Sequence, residues 1–143
     1  MNFEENVEKI FKDSYDEAVK REHEYICLEH ILYAIACNNE GARLILGCGG
    51  SVSSLKDNLE KFLDQKLEKV SKATNPTESI GLKRLIQRVI LHAEYSSSSV
   101  ITTGDLLATI FTESESHAAY YLNLEGIGRL DVLEYIAHGP NLE

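Results

Sequence analysis

Residues 26–35 read ICLEHILYAI, and residues 101–110 read ITTGDLLATI. The second stretch follows the first by 75 residues, and apolar side chains recur in both at the spacing of one helix face. The same shift aligns Ala18 with Ala93, Ile26 with Ile101, Leu32 with Leu107, Ile35 with Ile110, Glu40 with Glu115, Val52 with Ile127 and Leu55 with Leu130. Since no gap is needed from the first helix to the last, the pattern predicts an internal duplication.

Helical periodicity predicts four helices in each half, and polar residues mark where several of them begin. Ser51, Ser79 and Ser114 are predicted N-caps, because a serine hydroxyl accepts a hydrogen bond from a free amide of the first turn. Thr102 and Asp105 have the spacing of a capping box. The fold class predicted is therefore all-α, with eight helices arranged as two pseudo-symmetric four-helix repeats.

The domain organisation follows from these boundaries. We expect one domain over residues 1–143, with repeat one at 3–65, repeat two at 79–139 and a polar linker between them at 66–78. Each repeat is too small to bury a good core alone, so the two are expected to pack face to face. Residues 140–143 form a tail in which Leu142-Glu143 is typical of a cloning scar, and this indicates a piece cut from a longer protein.

Composition excludes two classes of partner. The chain has 14 Lys+Arg against 23 Asp+Glu and a formal net charge of −9, which does not supply the basic face that binds nucleic acid. Its longest apolar run, 31–37, is far shorter than the ~20 residues that cross a bilayer. The N-terminus has no signal-peptide pattern, and three cysteines are an odd number without tight spacing. We therefore expect a cytoplasmic protein with reduced thiols, no nucleic-acid partner and no membrane partner.

Several motifs resemble one known family. The segment 27–32, CLEHIL, resembles the Thr-x-Glu-His-Leu-Leu segment of the Clp N-terminal repeat. Four segments of the second half resemble the ClpA branch of that family. They are LIQRV at 85–89, TIF at 109–111, ESHAAY at 115–120, which matches as ES-x-AAY, and RLDV at 129–132. The resemblance covers roughly residues 3–139 of this chain.

The resemblance implies a docking domain without catalysis of its own. Such a domain recruits protein substrates to an AAA+ unfoldase, chiefly by binding a ClpS-like adaptor, and the unfoldase feeds the ClpP protease. The chain has no G-x-x-x-x-G-K-[ST] motif, so no cofactor is expected in this domain, and ATP and Mg are expected only in AAA+ modules. The alternative is a domain that binds unfolded protein directly, as in ClpC- or ClpB-like chaperones.

The same resemblance implies an adaptor-binding surface, at the positions that match the family: Glu24, Glu29, Arg84, Arg88 and Arg129. From the residues alone, Arg84 and Arg88 share one face of a helix at i,i+4 spacing. They can equally form a solvated face paired with Glu24 or Glu78.

Cys27 is a departure from the family motif. It stands where the family has threonine, so this helix start loses its capping hydroxyl and is expected to depend on Glu29 or water.

Metal binding and catalysis are weaker hypotheses. His23, His30 and His92 are the candidate metal ligands, although no Cys-x-x-Cys or His-Glu-x-x-His motif supports a dedicated site. A small metal-dependent or thiol hydrolase would use Cys27 with His30, or the serines at 96–99 with His92. No Gly-x-Ser-x-Gly elbow is present, and we expect no enzymatic activity.

The tyrosines at positions 15, 120 and 121 are interpreted as core or rim aromatics. A shallow apolar groove between the repeats is a second candidate binding surface.

Overall fold

The computed structural model describes residues 2–70 and 75–139, so the linker residues 71–74 and the tail 140–143 lie outside the described residues. The elements in chain order are β1 (Asn2–Phe3), α1 (Glu5–Lys20), β2 (Tyr25–Ile26), α2 (Leu28–Cys37), α3 (Asn39–Gly47), α4 (Val52–Gln65), β3 (Thr77–Glu78), α5 (Ile80–Tyr95), β4 (Val100–Ile101), α6 (Thr103–Ile110), α7 (His117–Leu124) and α8 (Arg129–His138). The described part of the chain thus has the eight helices that the periodicity predicted, and the all-α fold class is confirmed. The four two-residue strands were not predicted.

Most of the predicted helix starts are confirmed. The hydroxyl of Ser51 accepts from the Ser54 amide, and the hydroxyl of Ser79 accepts from the Leu82 amide. Thr102 and Asp105 form the predicted capping box at the start of α6.

One predicted helix start is wrong. The N-cap of α7 is Ser116, whose hydroxyl accepts from Ala119 N–H, whereas we predicted Ser114. Six residues, 111–116, separate α6 from α7, whereas Asn38 alone separates α2 from α3.

That longer turn also changes the register of the repeats. The N-caps of the last helix in each half are Ser51 and Gly128, which are 77 residues apart rather than 75. Leu55 is fully buried, whereas its predicted counterpart Leu130 is 67% exposed. The fully buried Val132 takes the equivalent position, so the gapless alignment holds through α6 and fails after it.

The short strands connect the two halves. β1, at the start of the first half, pairs in parallel with β4 in the second half. β3, at the start of the second half, pairs in parallel with β2 in the first half. The predicted linker 66–78 is therefore more than a connector, because its last two residues form β3. Each strand of one half therefore depends on the other half for its backbone hydrogen bonds.

The core is continuous across both halves and is centred on α2, which packs against α1, α3, α4, α6 and α7. Both faces of α2 are covered, and its largest fully buried side chains are Ile31, Leu32 and Ile35. Burying a side chain of this size contributes about 1.5–3 kcal/mol. Among residues 2–70 and 75–139, no helix has the length and apolar character that crossing a lipid bilayer requires.

Candidate functional site

The first feature of the site is a cluster of two arginines and one glutamate, which we call the Arg84–Glu113–Arg88 cluster. Arg84 donates to Glu113 through Nη2 at 2.7 Å and Nε at 3.2 Å, and Arg88 Nη1 donates to the other carboxylate oxygen at 2.6 Å. The arginine side chains are 51% and 44% exposed, while that of Glu113 is only 9% exposed. The pairing with Glu24 or Glu78 that we considered is therefore wrong, because the partner is Glu113.

The electrostatics of this cluster favour the ionised carboxylate. Hydrogen bonding from Arg84, with the charges of both arginines, lowers the pKa of Glu113 below its ordinary value. The carboxylate of Glu113 is paired with two guanidinium groups, so the cluster has a net charge of one positive unit, which the exposed arginines present to solvent. Within the described residues, Arg84 Nη1 and the Nε and Nη2 atoms of Arg88 make no hydrogen bond, so they can bind another acceptor.

Arg88 also borders a shallow pocket that it shares with Arg129. Arg88 Nη1 donates to the carbonyl and hydroxyl oxygens of Thr112 at 3.1 Å and 3.0 Å. The pocket has a volume of about 230 Å³, and it is lined by Arg88, Leu91, His92, Tyr95, Thr109, Thr112 and Arg129. Arg129 is exposed and is the first residue of α8, where a cation is unfavourable because the helix dipole is positive there. This position therefore does not serve helix stability.

Glu24 lies at the same end of α5 as Arg84. Its side chain is exposed, and its carbonyl accepts from the amide of Thr77, which belongs to the strand before α5. A Cβ atom placed on Gly81 in α5 would lie 3.7 Å from Glu113 Oε1 and 3.9 Å from Leu28 Cδ1, so the cluster borders the start of α2. The structure thus brings Arg84 and Arg88 together on Glu113 and places Arg88 and Arg129 around one pocket, whereas the Glu24 side chain forms no hydrogen bond or ion pair with this cluster within the described residues.

Glu29 differs from the other predicted site residues because it is buried. Its Oε2 accepts from the amide of Ala118 at 2.9 Å, so it caps the first turn of α7 from the other half of the chain. The structure gives Glu29 an internal role. Sequence reasoning missed this, because the two residues are 89 positions apart.

The start of α2 is also closed differently from our expectation. The Cys27 amide donates to His30 Nδ1 at 2.9 Å. In the second half, the Thr102 amide donates in the same way to the carboxylate of Asp105, so His30 and Asp105 are equivalent acceptors in the two capping boxes. Glu29, one of the two expected replacements for the hydroxyl, accepts from the Ala118 amide of α7 instead, and a role for water at this cap stays a prediction.

The three candidate metal ligands do not converge. His23 Nδ1 and His30 Nε2 are 2.8 Å apart, which is a hydrogen bond, and His92 lies on the exposed face of α5 in the Arg88 pocket. In the part of the chain that the structure describes, no group of three His, Cys, Asp or Glu residues could hold a metal ion.

The candidate nucleophiles are not activated by their surroundings. Burial raises the pKa of the Cys27 thiol to about 11, so the reactive thiolate is disfavoured. The hydroxyls of Ser96 and Ser98 donate to the carbonyls of Ala93 and Val100, at 3.2 Å and 2.8 Å.

The apolar groove between the halves is present. It has a volume of about 340 Å³, and it is lined by Phe3, Phe11, Tyr15, Ile26, Ile31, Glu78, Leu82 and Ile86. These residues come from both halves, namely from β1, α1, β2 and α2 of the first half and from β3 and α5 of the second. Tyr15, interpreted from sequence as a core or rim aromatic, lines this groove, and its hydroxyl donates to Asn75 at 3.1 Å.

Tyr120 and Tyr121 lie elsewhere, on α7. Their ring centroids are 5.4 Å apart, and Tyr121 packs against Phe62 of α4. Tyr120 is exposed, so it is a rim aromatic as predicted.

Comparison with known families and proteins gives a consistent result. The family model described as the Clp repeat (R) N-terminal domain matches residues 2–124. A ClpA homolog protein from Fuscovulum blasticum is 31% identical over 141 residues, which is 96% of this chain and 18% of that protein. The chaperone protein ClpB from Oceanobacillus iheyensis is 28% identical over 131 residues, which is 87% of this chain and 15% of that protein. The chain therefore spans less than a fifth of the length of either relative.

Solved structures show the same fold at low sequence identity. The Hsp104 N-terminal domain from Candida albicans superposes with a TM-score of 0.83 at 10% identity, covering 100% of this chain and 96% of that chain. A complex of the ClpV N-domain with a VipB peptide gives a TM-score of 0.77 at 19% identity, covering 96% of this chain and 86% of that chain.

Proposed function

The chain belongs to the Clp repeat N-terminal domain family, and we propose that it is the adaptor- and substrate-docking domain of a ClpA-type ATP-dependent unfoldase. It recruits a ClpS-like adaptor in the cytoplasm, and the parent protein passes the substrates to ClpP. This domain has no catalysis or cofactor of its own, and ATP and Mg act in AAA+ modules of the parent protein. The 31% identity to a ClpA homolog protein supports the ClpA branch.

The observation that carries the proposal is the Arg84–Glu113–Arg88 cluster. Glu113 fixes the position of both guanidinium groups, so less side-chain entropy is lost when a partner binds them. The surplus positive charge fits a carboxylate on the adaptor, and Arg guanidinium groups bind carboxylates with directional, charge-assisted hydrogen bonds. The exposed Glu24, in the segment that pairs with the strand before α5, supplies a negative charge, so the proposed surface carries both signs and can set the register of a partner.

The mechanism follows from tethering. A docked adaptor holds its cargo next to the unfoldase, which raises the effective concentration of substrate at the motor without a new contact to the cargo itself. Because the chain as a whole has a net charge of −9, an isolated cationic cluster also discriminates the orientation of an approaching acidic partner.

The test is calorimetric binding of a ClpS-type adaptor to wild type and to the Arg84→Glu/Arg88→Glu double variant. We expect affinity to fall at least about tenfold, or about 1.4 kcal/mol. The matched control is Lys9→Glu/Lys12→Glu, which makes the same change of charge at two exposed lysines of α1. Undiminished affinity in the arginine variant, with an intact helical spectrum, would overturn the site assignment.

A second candidate function is direct binding of unfolded protein in the apolar groove. Its support is the groove itself, which both halves line with aromatic and aliphatic side chains. We expect Ile86→Glu to abolish binding of a denatured model protein, with Arg84→Glu/Arg88→Glu as the control that leaves this binding unchanged. Binding that Ile86→Glu leaves intact would exclude the groove.

A further inference from the structure

The buried pair His23 and His30 has fixed tautomers. The Cys27 amide donates to His30 Nδ1, so this nitrogen carries no proton and the neutral His30 ring is protonated at Nε2. His30 Nε2 lies 2.8 Å from His23 Nδ1, so His30 Nε2–H donates and His23 Nδ1 must accept. The proton of neutral His23 is then on its own Nε2. The hydrogen bonds therefore form a directed chain, in which the Cys27 amide donates to His30 and His30 donates to His23.

Neither ring can take a second proton without breaking this chain. A proton on His30 Nδ1 would face the Cys27 N–H, and a proton on His23 Nδ1 would face the His30 N–H. Both rings are also buried, and His23 Nε2 has no hydrogen-bond partner within the described residues although the Leu63 backbone lies beside the ring. The Nδ1 atoms of both rings are thus in use, and hydrogen bonding to the Leu63 backbone, which favours a charged His23, is outweighed by burial.

The charges around the pair do not compensate for protonation. Arg21 at the end of α1 and Lys69 in the linker oppose a positive charge on His23, and Arg21 also opposes one on His30. Asp64 on α4 is the one acid that favours a charged His23, and it is already paired with Arg21. Burial is the largest effect on both rings, and it lowers the pKa of His30 to about 3 and that of His23 in the same direction.

The pair holds together the segment between α1 and α2, residues 21–27. His23 forms a β-bridge with Lys69, and the Val70 amide donates to the Glu22 carbonyl. Glu22 has a positive φ of 61°, a strained conformation for a non-glycine residue. This segment also carries the exposed Glu24 and the strand β2 that pairs with β3.

We propose that the Cys27–His30–His23 hydrogen-bond chain is an acid-sensitive latch, which fastens the α1–α2 segment when both rings are neutral and releases it when either ring is protonated. The inference goes beyond adaptor docking, since it rests on the hydrogen bonding and burial of the two rings and not on the proposed docking surface. The sign follows from linkage: the native pKa of each ring lies below its unfolded value of about 6.5, so unfolded or opened chains bind more protons. Stability is full above about pH 6.5 and is lost as the pH falls below it.

The first test is ¹⁵N NMR of the imidazole rings in the wild-type protein. We expect both His23 and His30 to be Nε2-protonated tautomers at pH 8, with no native titration between pH 7 and 5.5. A tautomer with Nδ1–H on either ring, or titration of either ring near pH 6.5, would overturn the proposal.

The second test compares His23→Gln, whose side-chain oxygen can accept from His30 without titrating, with the control His92→Gln on the exposed face of α5. Between pH 7.5 and 5.0 we expect the unfolding constant of wild type and of His92→Gln to rise more than that of His23→Gln, by up to about thirtyfold, the limit in which native His23 stays neutral over this range. Equal pH dependence in all three proteins would overturn the latch. Hydrogen exchange of the Cys27 amide reports local opening in the wild-type protein. As the pH falls, we expect the protection factor of the Cys27 amide to decrease before that of the buried Leu32 amide. A parallel decrease at both amides would overturn the local release.

Discussion

Replacing Glu29 with alanine removes the carboxylate that joins the start of α2 to the start of α7. In the native protein its Oε2 accepts from the Ala118 amide at 2.9 Å, and both residues are buried. The alanine variant leaves that amide without a partner in a site that water does not reach. Ser116 still caps the adjacent Ala119 amide, so α7 loses one of its two side-chain caps.

The magnitude follows from two contributions. An unsatisfied buried amide costs about 1–3 kcal/mol. The loss of a negative charge beside the positive end of a helix costs about 0.3–1 kcal/mol more. We expect the free energy of unfolding of Glu29→Ala to fall by about 2–3 kcal/mol, which lowers Tm by about 6–10 °C for a domain of this size.

The assay is urea unfolding followed by circular dichroism at pH 7, with thermal melts beside it. Glu29→Gln keeps an acceptor oxygen but loses the charge, so we expect it to cost about 0.5–1 kcal/mol. Glu24→Ala is the surface control, and we expect its effect to stay within about 0.5 kcal/mol. If Glu29→Ala were no more destabilising than Glu24→Ala, the internal role of Glu29 would be refuted.

Three further predictions follow from the structure. Glu113→Gln leaves two exposed arginines unpaired and costs less than about 1 kcal/mol at pH 7. Because the native pKa of Glu113 is lowered, its contribution is present above the unfolded value and lost as the pH falls, so urea titrations should show wild type and variant converging in acid. Asn38→Ala removes a buried side chain that caps α3, and we expect a loss of about 2 kcal/mol in urea unfolding, against under about 0.5 kcal/mol for the exposed Asn39→Ala. Gly41→Ala would drive a methyl group into the Ile35 carbonyl, so we expect it to lower Tm by more than about 10 °C in a thermal melt, and an unchanged Tm would contradict this close approach.

The candidate site was only partly readable from the sequence. The i,i+4 spacing placed Arg84 and Arg88 on one face, because helix geometry depends on neighbours along the chain. Their partner Glu113 could not be found in this way, since it is 29 residues from Arg84 and reaches it only when α5 packs beside the turn after α6. The role of Glu29 was hidden for the same reason.

The features that could be read from the amino-acid sequence are those that local interactions fix. Apolar periodicity and the caps at Ser51, Ser79 and Thr102 specify the helices, because each depends on residues within a few positions. The tertiary structure alone decided the pairing of strands between the halves, the 77-residue register of the last helices and the contact of His23 with His30. These features depend on packing between distant segments, where burial and unsatisfied polar groups, rather than local spacing, determine which arrangement is stable.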